Sequence, residues 1–101
     1  MRSIDTFIEG DKVQGFYLCV EKHLRYTRTG DLYIDIELRD NTGHISGKIW
    51  DNVSELSSKF NAGNAVVISG NVESFIDRLQ LVVKKINKAT VQHYGRYGFD
   101  P

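Results

Sequence analysis

Cysteine is nearly absent from this chain: one residue, Cys19, among 101. A single thiol excludes an intrachain disulfide and fits a reducing compartment. Within an expected strand it reads as a small buried side chain rather than a nucleophile. Net charge is absent too, since 13 Lys and Arg balance 13 Asp and Glu. That argues against a strongly basic, salt-driven duplex binder, but leaves room for a local basic patch. No apolar run approaches the ~20 residues of a membrane-spanning helix, and Met1-Arg2-Ser3-Ile4-Asp5-Thr6 is no apolar signal segment. A cytoplasmic protein without a membrane partner is therefore expected. His23, His44 and His93 lack metal-ligand spacing, and Asp5, Glu9 and Asp11 have no nucleophile or base set beside them. No metal, cofactor or catalytic residue is expected.

What the chain does have is alternation. Leu32, Ile34, Ile36 and Leu38 point one way, and Ile45, Gly47 and Ile49 point the same way from a second strand. The break between them is Asp40-Asn41-Thr42-Gly43, so 32–50 reads as a β-hairpin with one apolar face. The opposite face carries Tyr33, Asp35, Glu37, His44, Ser46, Lys48 and Trp50. Rings beside a cation suit base stacking and phosphate contact with single-stranded nucleic acid.

With 41% hydrophobic and 26% charged residues the chain is expected to be globular rather than disordered, as one domain. A first strand is expected over about 12–22, with a bulge or bend at Gly15. Residues 23–31 read as a loop. A short helix over about 52–60 is expected from the spacing of Val53, Leu56 and Phe60, with Asp51 as N-cap. Strands at 65–74 and 79–88 follow, joined by a turn at 75–78, with Leu79, Leu81 and Val83 inward and Gln80 and Lys84 outward. The order β-β-β-α-β-β is all-β with one short helix, the layout of a five-stranded OB-fold barrel. Residues 1–91 form that unit, and 92–101 read as a tail or linker. In such a barrel the working face spans strands 2 and 3, walled by the loop after strand 1 and the turn between strands 4 and 5.

The segments Gly10-Asp11-Lys12-Val13, Gly30 through Asp40, Gly43-His44-Ile45 and Lys48-Ile49-Trp50-Asp51 resemble OB domains of the tRNA-anticodon type. With Gly70-Asn71-Val72, Leu79-Gln80-Leu81 and the ending Arg96-Tyr97-Gly98-Phe99-Asp100-Pro101, they are similar to the N-terminal domain of YhaM-like bacterial 3′→5′ exoribonucleases. The resemblance implies a domain that holds RNA or single-stranded DNA for a downstream metal-dependent HD-type catalytic domain. No His-Asp pair occurs here, so the chain itself is not expected to be an enzyme. It would be an excised domain or a stand-alone relative.

Several side chains carry the binding expectation, each with a structural alternative. Tyr33 and Trp50 would stack with bases; Trp50 would otherwise pack under the helix or tail. Lys48 would meet a phosphate, or else pair with Asp35 or Glu37 across the hairpin. Lys22, Arg25, Tyr26 and Arg28 would form one wall, or else a solvated loop. Arg78 belongs to the opposite wall, with Gln80 and Lys84 on the last strand. His93, Tyr94, Arg96, Tyr97 and Phe99 read as linker or packing residues. The rival function is a protein-interaction or structural OB domain with Trp50 as an interface anchor.

Overall fold

The computed structural model describes residues 2–89, so the tail expected at 92–101, with its aromatic residues, lies outside the described residues. After a short 3-10 turn, Ile4–Thr6, the elements are β1 (Lys12–Tyr26), β2 (Leu32–Arg39), β3 (His44–Ile49), α1 (Val53–Ser57), β4 (Ala65–Phe75) and β5 (Arg78–Lys88). The strands close a barrel in the order β1-β2-β3-β5-β4. The expected all-β barrel with a single short helix is what forms. Neighbouring strands are antiparallel except at the closing seam, where β3 and β5 run parallel through Ser46–Gln80, Gly47–Leu81 and Lys48–Val82. Parallel neighbours cannot be joined by a tight hairpin; here the connection is made by α1 and the whole of β4.

One strand serves two neighbours. β1 pairs with β4 from Lys12 to Leu18 and with β2 from Leu18 to Tyr26. The bulge is not at Gly15, where the register is continuous, but between Cys19 and Glu21, leaving Val20 as the extra residue. An extra residue exchanges the two faces of everything beyond it. Before it, Tyr17 and Cys19 enter the core while Phe16 joins a small second cluster with Ala89, Leu18, Ala65 and Val67. Beyond it, Lys22, Leu24 and Tyr26 stand opposite the inward residues Ile36, Ile34 and Leu32.

The hairpin alternation supplies the core directly: Ile34, Ile36, Leu38, Ile45 and Ile49 are buried. Val66, Ile68 and Val72 of β4 join Leu81, Val83 and Ile86 of β5. A second register shift lies where Ser69 faces Lys85 but Gly70 faces Val83, which lets both Val83 and Ile86 point inward. Gly70 is required there, because a Cβ would run into the Val82 carbonyl oxygen. Val53, Leu56 and Phe60 bring α1 and the segment after it into the same core. Tyr17, fully buried, is edge-on to Phe7 with centroids 6.1 Å apart, and its hydroxyl donates to the Arg2 carbonyl at 2.7 Å. Burial pushes the Cys19 thiol up to about 11, so it stays protonated as a packing residue.

Three further expectations about local structure are corrected. The loop expected at 23–31 is shorter, because β1 continues to Tyr26 and a turn held by Thr27 Oγ1 and Asp31 N replaces it. The N-cap is Asn52, not Asp51. It sits at φ 54°, a left-handed conformation that asparagine tolerates as the chain leaves β3. Leu79 is not inward: it precedes the stretch of β5 that β3 covers and stays 38% exposed.

Candidate nucleic-acid interface

The outward face of the β2–β3 hairpin places two rings together. Tyr33 and Trp50 stack with centroids 4.6 Å apart and planes 25° from parallel. Trp50 remains 44% exposed, so it does not pack beneath the helix. The strand period puts Asp35 next to Tyr33 on β2, and Lys48 of β3 on the same side as Trp50, which directly follows that strand. Lys48 Nζ lies 2.7 Å from Asp35 Oδ1 and donates to Ser46 Oγ at 3.2 Å. Arg25 reaches Asp35 Oδ2 at 3.0 Å from the β1 side. The pairing alternative for Lys48 is therefore what the structure shows, and one carboxylate is shared between two cations. Burial raises the Asp35 pKa, but hydrogen bonds from Lys48 and Arg25 outweigh it and hold the carboxyl below its ordinary value. The cluster Arg25–Asp35–Lys48 keeps a net single positive charge beside the rings.

A second region continues along the same face. Glu37, Ser46 and Gln80 form one row across β2, β3 and β5. His44 Nδ1 donates to Glu37 Oε1 at 2.7 Å. These residues, with Lys48, Phe75, Arg78 and Leu79, line a groove of about 390 Å³ between β3 and the β4–β5 hairpin. A cleft of about 440 Å³ lies where α1 meets β4 and β5, lined by Glu55, Lys59, Lys84 and Lys85 with no aromatic side chain.

The expected site residues thus separate into groups. Tyr33, Trp50, Lys48 and Arg25 come together, and Arg78 and Gln80 line the groove further along. Tyr26 does not join them: the bulge at Val20 sends it to the face opposite Tyr33, where it is 71% exposed. Arg28 is exposed in the β1–β2 turn with no ion pair among the described residues. Lys84 is 3.6 Å from Asp51 and faces the cleft beside α1. Lys22 is committed to the fold, donating to the Ser57 and Phe60 carbonyls at 2.6 and 2.7 Å and lying 4.5 Å from the Phe60 ring centroid. Asp11, from the N-terminal acidic group, accepts from Ile8 N and Arg2, which hold its carboxyl below the ordinary value. Among the described residues, no three His, Cys, Asp or Glu side chains gather as a metal site.

Sequence reasoning passed over Phe75, which is 61% exposed and lines the groove. It also took Ile76 and Asp77 simply as turn residues, although both have positive φ, 49° and 60°. That is the backbone of a two-residue hairpin turn, here built without glycine or asparagine. The signal available was an aromatic at the mouth of a β4–β5 hairpin in a barrel whose face lies next to it.

Solved structures share this architecture. The p204 HINb domain superposes with a TM-score of 0.71 at 18% identity, over 88% of this chain and 47% of that one, so the chain spans under half of that relative's length. A replication protein A heterotrimer bound to ssDNA gives 0.69 at 16% identity, over 94% and 70%. The second OB-fold domain of replication protein A from Methanococcus maripaludis gives 0.58 at 18%, over 86% and 92%. Identities this low carry the fold. The family assignment comes from the sequence model of the OB-fold nucleic acid binding domain of tRNA_anti-codon type, which matches residues 18–89. By that match the chain belongs to the tRNA_anti-codon family of OB-fold nucleic acid binding domains.

Proposed function

We propose that this domain holds single-stranded RNA or DNA across the outer face of β2 and β3. The observation that carries the reading is the half-open Tyr33–Trp50 stack beside the net-positive Arg25–Asp35–Lys48 cluster. A base continues the stack while a phosphate meets Lys48 or Arg25; such contacts tolerate any sequence. The motif resemblance supports a larger role, the substrate-holding N-terminal domain of a cytoplasmic 3′→5′ exoribonuclease. In it this domain would capture the strand and present its 3′ end to an HD-type catalytic domain outside this chain. A second reading, docking of a protein partner, is favoured by the exposed Phe75, Ile76 and Leu79 at the β4–β5 hairpin and by the ion pairing of Lys48.

Fluorescence-anisotropy titration of labelled single-stranded RNA and DNA at low and moderate salt tests the proposal. Saturable, salt-weakened binding is expected, with Trp50→Ala costing about 1–3 kcal/mol. No binding by folded protein at high micromolar concentration, or an unchanged affinity in Trp50→Ala, overturns it.

A further inference from the structure

Three carboxylates lie on a face proposed for a polyanion: Asp35, Glu37 and, opposite Glu37 on β1, the exposed Glu21, which is 3.6 Å from His23. Asp35 has Lys48 and Arg25. Glu37 has the largely exposed His44 on Oε1, and its Oε2 has no hydrogen-bond partner among the described residues. A carboxylate near phosphates repels them, so its place on this face calls for a ligand that needs an acceptor. Its neighbours differ from those at the Tyr33–Trp50 end. Glu37 stands opposite Ser46 and Ser46 opposite Gln80, so one row offers a carboxylate, a hydroxyl and a carboxamide. Phe75 and Leu79 add apolar wall to the groove of about 390 Å³ that these residues line, within the ~300–1,000 Å³ range of small-molecule sites.

An ionised carboxylate only accepts hydrogen bonds. It therefore sorts bases by what their edges donate. Cytosine, adenine and guanine carry exocyclic amino groups, whereas thymine (and uracil, which shares its edge) presents the O4 acceptor where cytosine has N4–H₂. We propose that the groove between β3 and the β4–β5 hairpin is a base-reading subsite for an amino-bearing base. Glu37 accepts from the exocyclic amine, Ser46 and Gln80 meet the rest of the edge, and Phe75 flanks the ring. The subsite rests on the strand-holding reading above. The Tyr33–Trp50 stack takes any base, and the groove supplies the choice.

The test compares single-stranded DNA oligomers of equal length, one of deoxycytidine and one of deoxyuridine. Their phosphates are identical, so backbone electrostatics cancel in the ratio of affinities. Wild type is expected to bind the cytosine oligomer about tenfold more tightly, the size of one good base-edge contact. Glu37→Met, which removes both the acceptor and the charge, should bring the ratio near one without lowering uracil affinity, and Trp50→Ala should weaken both oligomers alike. Equal wild-type affinity for the two overturns the subsite and leaves strand binding standing. A preference that survives Glu37→Met also overturns it, because the choice is then made elsewhere. Failure to bind either oligomer, or the matching cytidine and uridine RNA oligomers, removes the strand-holding reading and the subsite together. The wild-type ratio depends on no variant, and a circular-dichroism melt establishes that Glu37→Met is folded.

Discussion

Asp35 sets the charge that an incoming strand meets, because it holds Lys48 and Arg25 at 2.7 and 3.0 Å. Each cation must loosen that pairing to reach a phosphate. Asp35→Asn should therefore tighten single-strand binding at low salt. It should also steepen the dependence of log K on log salt by about 0.7 for each further phosphate neutralised; anisotropy titrations across a salt series measure both. A flatter slope would mean that Asp35 positions the cations rather than masking them. The residues of this cluster were largely legible in the sequence, because Tyr33, Asp35, Lys48 and Trp50 belong to one hairpin whose period decides their side. Arg25 and Tyr26 were not separable from sequence alone. The extra residue at Val20 delivers one to the face and removes the other, and valine in a strand carries no mark of a bulge. Phe75 was hidden for a related reason: it lines the face only through the closing of β5 against β3.

The β2–β3 turn does more than reverse the chain. Asp40 Oδ1 accepts from Thr42 N, Thr42 Oγ1 and Gly43 N, while Oδ2 accepts from Ile4 N. Asp5 N donates to Thr42 Oγ1, so the turn also anchors the N-terminal segment. Burial raises the Asp40 pKa, but bonds from Thr42, Ile4 and Gly43 prevail and hold it below its ordinary 3.8. A carboxyl depressed in the folded state stabilises above its unfolded value, and that contribution disappears as pH falls through the folded one. Urea unfolding midpoints should therefore drop below about pH 4, the range in which an unfolded aspartate takes up its proton. Asp40→Asn should cost about 1–3 kcal/mol at neutral pH and reduce that acid slope. Among elements, the hairpin was readable because it is local. The helix start moved by one residue because the exit from β3 needs a left-handed conformation, which Asn52 adopts and Asp51 does not.

At the scale of the molecule, the count and order of strands follow from turn residues and apolar alternation, and five strands with a helix after the third leave few arrangements. The shifts at Val20 and near Lys84 did not follow, since they are properties of pairing between strands far apart in sequence. Closure also has a dynamic consequence. The β3–β5 seam is made of the pairs at Ser46, Gly47 and Lys48 alone, whereas β4 and β5 pair from Val66–Lys88 to Phe75–Arg78. Local opening is easiest where few backbone bonds must break. In hydrogen exchange, the amides of that seam should lose protection before those of the β4–β5 ladder. The seam runs between Ser46 and Gln80, directly beneath the proposed groove. A strand lying across it would act as a clasp, slowing exchange at the seam more than elsewhere and raising the melting temperature as its concentration rises. The barrel would then be most tightly shut when it is carrying its cargo.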